Sequence, residues 1–168
     1  MQGIIEKEAT SVVTWAEFAR LRPDLADAGR GLLYFFGPGL GLIGTVRRDG
    51  GPRMHPFCPT LAGEGLYAFI APSPKLNDLL RDGRFALHSN PLPDNDDSFF
   101  VRGRAARRDD PELRQAVEKV FFAGLGLDKP WPGFEQEMLF ELLLETCLLT
   151  RTPGHGGPYT HTVWKAPA

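Results

Sequence analysis

Two places in the sequence have residue types suited to binding an anion. Ser73, Pro74 and Lys75 open a stretch with helical spacing, where a hydroxyl, free backbone N–H groups and an ammonium group meet. Such a helix start attracts phosphate through its unpaired donors and its partial positive charge. Arg53 opens a predicted strand and can clamp an oxyanion with two parallel hydrogen bonds. An ordinary helix cap with solvated charges explains the same helix start, so the residues alone leave this question open.

The strand that begins at Arg53 carries further groups of chemical interest. Because side chains alternate along a strand, Arg53, His55 and Phe57 share one face. A phosphate clamp beside an imidazole and an aromatic ring suits a phosphorylated aromatic cofactor. His55 is the best candidate for a catalytic acid, since imidazole exchanges protons near neutral pH. The alternative is a structural or merely exposed histidine.

Other common catalytic signatures are absent from the sequence. No metal-site spacing of the HExxH or HxH type joins the histidines, which are His55, His88, His155 and His161. No GxSxG elbow, Walker loop or GxGxxG fingerprint occurs. The cysteines, Cys58 and Cys147, form no CxxC pair and are expected to be buried free thiols. We therefore predict neither a metal site nor a serine-hydrolase site.

Composition narrows the class of protein. The chain has 168 residues, of which 42% are hydrophobic and 24% charged, as in ordinary globular proteins. The formal net charge of −2 argues against a generally basic binder of nucleic acid or membrane surfaces. The N-terminal sequence lacks the cationic start and apolar core of a signal peptide. We expect a cytoplasmic protein with one domain over residues 1–168 and without nucleic-acid or membrane partners.

The positions of glycine and proline indicate a mainly β fold. The 19 glycines and 15 prolines separate short apolar segments, as in a small antiparallel barrel. Helices are predicted over 14–21, 23–34, 73–82 and from 110 onward, so 1–36 is a helical segment before a barrel over 40–165. Strands are predicted over 40–48, 53–61, 66–71, 84–89, 98–108, 138–151 and 159–165. The first three of these strands are expected to form an antiparallel meander. Two prolines within 53–61 place that strand at an edge or make it irregular.

The order of these features resembles a known family. The runs GTVRRDGGPRMHPFCP, LYAFIAPSPKLNDLLRDGRFALHS and FFVRGRAARRDD resemble the pyridoxamine 5′-phosphate oxidase-like FMN-binding split-barrel family over roughly residues 40–122. The terminal HTVWK resembles the last strand of that family. The resemblance implies a six-stranded antiparallel split barrel that forms a homodimer with flavin at the subunit interface.

The resemblance also implies roles for particular residues. Arg53 and Lys75 match the positions that contact the FMN phosphate, and Ser73 belongs to the same helix start. Six further positions match cofactor contacts of the family: Met54, His55, Pro56, Ile70, Ala71 and Ser98. Apart from the resemblance, Trp164 in the last predicted strand either covers a cofactor pocket or a dimer contact, or belongs to the core. The arginine-rich C-terminal signature of true pyridoxamine phosphate oxidases is missing, so that reaction is not expected. Pro56 and Cys58 stand where those enzymes carry an aliphatic residue and a lysine.

Several functions remain open at this level. The first is an FMN-dependent oxidoreductase that transfers hydride to or from an unidentified small organic substrate. A deazaflavin coenzyme is an alternative, and its larger tail would need an open, basic groove. A protein that binds flavin or haem without turnover is another alternative, with His88 or His161 as the histidine facing haem. A structural or interaction module remains if no chromophore binds.

Overall fold

Short apolar segments between glycine and proline turns form eight strands and four α-helices over residues 11–168. The computed structural model describes these residues, so part of the predicted helical segment 1–36 lies outside it. The helices are α1 (Trp15–Leu21), α2 (Pro23–Leu33), α3 (Pro74–Arg81) and α4 (Pro111–Leu125). The strands are β1 (Gly41–Val46), β2 (Pro52–Phe57), β3 (Thr60–Ala62), β4 (Gly65–Ile70), β5 (Arg84–Ser89), β6 (Ser98–Arg108), β7 (Met138–Arg151) and β8 (Thr160–Lys165). None of the helices within residues 11–168 is long and apolar enough to cross a membrane.

All the strands belong to one antiparallel sheet that curls into a half-barrel. The strand order is β2–β1–β5–β6–β7–β4–β3, and β8 pairs with β7. The two ends of this order, β2 and β3, are consecutive in the chain, and only Cys58 and Pro59 separate them. The expected split barrel is confirmed, with eight strands in place of the six of the family or the seven read from the sequence.

The prediction of one continuous strand over 53–61 is wrong. β2 pairs with β1, whereas β3 pairs with β4, so the expected meander is interrupted between them. Pro59 lacks the N–H that would continue a ladder, which explains why the pairing stops at this point. Cys58 therefore lies outside both strands, at the gap between the two ends of the sheet.

The edge position of β2 agrees with its prolines. β2 has β1 as its single neighbour among residues 11–168. Pro52, Met54 and Pro56 pair opposite Val46, Gly44 and Leu42. Because a proline cannot donate to β1, the backbone nitrogens at these alternate positions point away from the sheet. The ladder to β1 is instead supplied by the residues between them.

Two groups of apolar side chains hold the barrel together. The main core lies under α1 and α2 and includes Phe18, Ile43 and Leu87, none of which is exposed. A second, aromatic cluster lies between β4 and α4 and includes Phe69, Phe121, Phe122 and Phe134. α1 begins with the predicted capping box, in which Thr14 and Glu17 bond each other's backbone N–H groups.

A β-bulge in the long β6–β7 pair depends on Gly103. The register of β6 and β7 shifts between Arg102 and Gly103. A Cβ atom at Gly103 would lie 1.8 Å from the carbonyl oxygen of Leu143, far inside contact distance. The bulge therefore requires the absence of a side chain at this position.

The β5–β6 loop and the β7–β8 loop are joined by one charged pair. The ring nitrogens of His155 both face acceptors, with Nδ1 2.6 Å from Asp96 Oδ1 and Nε2 3.0 Å from the carbonyl oxygen of Pro93. The other carboxylate oxygen of Asp96 accepts from the Gly156 N–H and the Tyr159 hydroxyl. Only the protonated imidazole can donate to both partners at once.

We expect this pair to stabilise the fold most in mildly acidic solution. The hydrogen bond that His155 donates to Asp96, with the one it donates to the carbonyl oxygen of Pro93, raises the pKa of His155 above its ordinary value of 6.5. The contribution is therefore complete below pH 6.5 and is lost as the pH rises through the folded-state pKa. The melting temperature of His155→Ala should fall further below that of the unmodified protein at about pH 6 than at about pH 9. An equal deficit at both pH values would contradict this assignment.

Candidate functional site

Arg53 is held in place by a buried carboxylate. Its Nε donates to Asp78 Oδ2 at 2.7 Å, and the Thr45 hydroxyl donates to the same oxygen at 2.9 Å. Arg81 Nη1 lies 3.3 Å from the other oxygen, and its Nη2 donates to the carbonyl oxygen of Val46. Asp78 is only 3% exposed, because α3 turns it towards β1 and β2 together with its apolar residues.

The charged state of Asp78 follows from these contacts. Burial alone would raise the pKa of this carboxyl, but the hydrogen bonds from Arg53, Thr45 and Arg81 outweigh it and lower the pKa. Neither Nη atom of Arg53 has a hydrogen-bond partner among residues 11–168. The arginine is thus fixed through Nε, while its two outer donor groups remain available.

Arg53 lines an open, basic cleft of about 750 Å³ beside α3. The cleft is lined by four arginines and two aspartates: Arg47, Arg48, Arg53, Arg81, Asp49 and Asp78. Arg47 pairs with Asp49 at 3.0 Å, and no ion pair of Arg48 occurs within the described part of the chain. With more cationic than anionic groups and wide access to solvent, the cleft attracts anions.

Lys75 lies in the first turn of α3, on a different side of the helix from the basic cleft. Its side chain is half-buried near Cys58 and Glu137, and it does not line the basic cleft. Burial lowers the pKa of Lys75, and the neighbouring Glu137 opposes this effect. Burial also raises the pKa of Glu137, whose carboxylate accepts from Trp131 Nε1 at 3.1 Å. Arg53 and Lys75 therefore flank α3 without converging on one point.

Ser73 acts within the protein as a helix cap. Its hydroxyl accepts from the Leu76 N–H at 3.3 Å and donates to the carbonyl oxygen of Ala71 at 2.8 Å. Ala71 is exposed next to this cap, whereas Ile70 is fully buried in the main core. The ordinary helix cap that the sequence offered as the alternative is thus present, and Ala71 is exposed just after β4.

The residues that follow Arg53 divide between the two faces of β2. Arg53, His55 and Phe57 share the inner face, as predicted, opposite Thr45, Ile43 and Gly41. Met54 and Pro56 are exposed on the outer face. Met54 lines a shallow apolar groove of about 360 Å³ with Leu42, Gly44, Ala86, His88, Pro91 and Phe100. Met54 and Pro56 therefore do not share a face of β2 with His55.

His55 carries an unsatisfied buried nitrogen. Its Nε2 is inaccessible to solvent and has no hydrogen-bond partner in the structure. An unpaired buried polar group costs stability, and each one in a native protein calls for an explanation, of which a catalytic role is one. This observation distinguishes His55 from His155, whose two nitrogens both have partners.

We expect His55→Leu to raise the free energy of unfolding. The substitution removes the unpaired Nε2 while keeping a side chain of similar size, which corresponds to a gain of about 1 kcal/mol. Chemical denaturation in urea measures the change. A loss of stability on this substitution would mean that the imidazole makes a stabilising contact, and His55→Gln would then be compared.

Ser98 and Trp164 lie away from Arg53 within one chain. Ser98 begins β6, which is three strand spacings from β2, or about 14 Å across the sheet. Trp164 is half-buried on β8 and contacts Phe18 with 4.8 Å between ring centroids. The structure therefore supports the core position of Trp164 that the sequence left open, and the cofactor contacts of both residues stay predictions.

The two histidines considered for haem differ in their surroundings. His88 is half-buried at the apolar groove, and its Nδ1 lies 2.6 Å from the carbonyl oxygen of Ser89. His161 is exposed, stacks on Tyr159 and contacts the Thr150 hydroxyl. Of the two, His88 is the one that lies next to an apolar surface.

Several residues of the candidate site were missed in the sequence analysis. Asp78 and Arg81 lie one helical turn apart, a spacing that favours an ion pair, but the partner of Asp78 on β2 is 25 residues away. Arg47 and Arg48 stand in the hairpin beside Asp49 and could have been noticed as a local basic pair. Glu137 gives no local signal, because its position near Lys75 depends on the pairing of β4 with β7.

Several solved structures have a fold similar to that of this chain. No protein-family model matches the sequence, and no curated protein matches it significantly. A heme-binding protein from Mycobacterium smegmatis is 17% identical with a TM-score of 0.57; the match covers 80% of this chain and 57% of that protein. An F420 reductase is 20% identical with a TM-score of 0.55, over 66% of this chain and 89% of that one.

A third structure is similar over most of its length. A candidate pyridoxamine 5′-phosphate oxidase from Listeria innocua is 14% identical with a TM-score of 0.58, over 73% of this chain and 95% of that one. The chain spans just over half of the mycobacterial heme-binding protein but most of the other two. At these identities the likeness concerns architecture alone. The chain has the split-barrel fold of the pyridoxamine 5′-phosphate oxidase-like proteins.

Proposed function

We propose that the chain is an oxidoreductase that binds a flavin-type cofactor, with the cofactor phosphate at Arg53. The observation that carries this proposal is the arginine held by Asp78 through Nε, with both Nη groups unpaired at the edge of an open basic cleft. A guanidinium in this arrangement can bind a phosphate with two hydrogen bonds. The fold supports the same cofactor class, since structures with this architecture include an F420 reductase.

The residues present fit a phosphorylated cofactor. Arg53 would bind the phosphate, and Lys75 would add a second cation from the other side of the helix start. FMN supplies hydride chemistry when bound, whereas the protein binds, orients and shields the ring. His55 remains the proposed catalytic acid, because its half-buried imidazole lies on the same face as Arg53 and its Nε2 has no partner within the structure. The substrate would be a small organic molecule.

A deazaflavin coenzyme is the second candidate, and the size of the basic cleft favours it. FMN carries one phosphate, whereas the cleft of about 750 Å³ has arginines on the β1–β2 hairpin, on β2 and on α3. This is the open, basic groove that a larger cofactor tail requires. The β1–β2 hairpin, with Arg47 and Arg48, would contact the tail beyond the phosphate.

A homodimer is part of the proposal. The outer face of the sheet exposes Met54 and Val163 and carries the apolar groove, so a second copy could cover it. In such a dimer, Ser98 of the partner subunit could approach a cofactor that Arg53 of the first chain binds, because the two residues lie three strands apart within one chain.

The experiment is a titration of the purified protein with FMN and with coenzyme F420, followed by absorbance and fluorescence. Saturable binding that is relieved by added phosphate supports the proposal, and the tighter ligand identifies the cofactor. Haem is titrated in parallel. A Soret band without any flavin binding would contradict the proposal and indicate a haem-binding protein, and His88 would then be substituted to test it as the haem ligand. Light scattering tests the dimer, and a monomer with bound cofactor would refute it.

A further inference from the structure

We infer that Asp78 is a positioning residue for the anion site, acting through Arg53. This inference rests on the proposed binding of an anionic cofactor group at Arg53. Its basis is geometric: one buried carboxylate contacts two arginines of the basic cleft and a buried threonine. The carboxylate binds Arg53 at Nε and leaves the outer edge of the guanidinium for the ligand.

The arrangement restricts the motion of Arg53. A free arginine side chain has many rotamers, and ordering it on ligand binding costs conformational entropy. Here the Nε–Oδ2 hydrogen bond of 2.7 Å links β2 to α3, and Thr45 on β1 anchors the same carboxylate oxygen. Asp78 itself is fixed because α3 buries it between Leu76 and Leu79, which belong to the main core. Arg53 therefore meets its ligand already ordered.

A role of Asp78 as a simple counter-charge and a role in positioning Arg53 predict opposite effects on anion binding when the carboxylate is removed. Asp78 carries a negative charge at the cleft, so its removal should strengthen anion binding if the carboxylate acted only as a counter-charge. If it positions Arg53, its removal should weaken binding although the cleft becomes more positive. Asp49 lines the same cleft and pairs with Arg47 on the exposed hairpin, so Asp49→Asn is the matched control for charge.

The experiment measures binding of pyrophosphate and of FMN by calorimetry to the unmodified protein, Asp78→Asn, Asp78→Glu and Asp49→Asn. Asp78→Asn should lose affinity about tenfold or more, the scale seen when a supporting residue behind a ligand contact is removed. Asp78→Glu keeps the charge but displaces the carboxylate, and it should lose affinity as well. Asp49→Asn should bind as tightly as the unmodified protein or more tightly. Circular dichroism identifies a temperature at which each variant is folded. If Asp78→Asn does not fold, the affinity of Asp78→Glu is compared with that of the unmodified protein instead.

A double-mutant cycle separates positioning from a general loss of structure. If Asp78 acts through Arg53, then Arg53→Ala should cost less affinity in the Asp78→Asn background than in the unmodified protein. An equal cost in both backgrounds, or unchanged or tighter binding by Asp78→Asn, would overturn the inference. If the protein binds pyrophosphate but neither FMN nor F420, the proposed function fails while the role of Asp78 is still decided with pyrophosphate. Absence of all anion binding would overturn both.

Discussion

Replacing Arg53 and Lys75 together with alanine is expected to weaken FMN binding by at least about 100-fold, because each charge-assisted hydrogen bond contributes about 1.5–3 kcal/mol. The two cations lie on different sides of the start of α3, and Lys75 is half-buried there. We expect the larger share of the loss from Arg53, because Asp78 fixes it in advance. Fluorescence titration of FMN with the single and double variants measures the loss.

The matched control removes the same two charges elsewhere. Arg107 and Lys119 are exposed on β6 and α4, away from the basic cleft, and Arg107 pairs with Asp109 at the surface. Arg107→Ala with Lys119→Ala should leave FMN affinity nearly unchanged. Arg53→Ala also leaves the buried Asp78 with one partner fewer, so every variant that carries Arg53→Ala should have a lower melting temperature, whereas the control variant should not. Unchanged FMN affinity in the Arg53 and Lys75 double variant would remove the proposed phosphate site.

Gly103→Ala is expected to be the most destabilising methyl addition in the sheet. Its Cβ would lie 1.8 Å from the carbonyl oxygen of Leu143 and 2.9 Å from the carbonyl carbon, so the backbone of β7 must move. Overpacking in a rigid core costs about 1–3 kcal/mol, and a clash with paired backbone belongs at or above the top of that range. The midpoint of urea denaturation measures the loss, and a change below about 0.5 kcal/mol would show that the bulge adapts.

Gly124→Ala provides the contrast for that measurement. Gly124 lies in α4 with nothing within 4 Å of the position where a Cβ would stand. Alanine is favoured over glycine inside a helix by about 0.5–1 kcal/mol, so this variant should be slightly more stable. The same methyl group should therefore have opposite effects at the two glycines, which excludes a general sensitivity of the protein to substitution.

The sequence was sufficient to predict features that depend on local pattern. The alternation of Arg53, His55 and Phe57 onto one face follows from strand geometry. The prolines of β2 predicted either an edge position or an irregular strand, and the strand lies at an edge. The leucines over 138–151 fit a helix or a strand, and Thr146, Cys147 and Thr150 decided the prediction in favour of the strand that β7 forms. The capping box of α1 was visible in the spacing of Thr14 and Glu17.

Features that depend on tertiary pairing could not be predicted in the same way. The break at Cys58 and Pro59 arises because the same chain segment supplies both ends of a curled sheet. Asp78 appeared in the sequence as one polar residue of an amphipathic helix, whereas its hydrogen bond with Arg53 comes from a distant strand. The separation of Arg53 from Lys75 likewise depends on how α3 lies beside β2, which spacing within the helix does not determine.

The prolines of β2 have a consequence for how copies of this protein can associate. Of the three alternate positions whose backbone nitrogens point away from the sheet, Pro52 and Pro56 have no hydrogen to donate, so Met54 alone offers an N–H along that border. An incoming β-strand would find too few donors to extend the ladder. Continuous intermolecular sheets, the route to fibrillar aggregates, are thereby disfavoured at β2 even though its side chains expose apolar surface. Two copies can then pack through the exposed apolar side chains of β2, while open-ended polymerisation through the backbone edge of β2 is disfavoured.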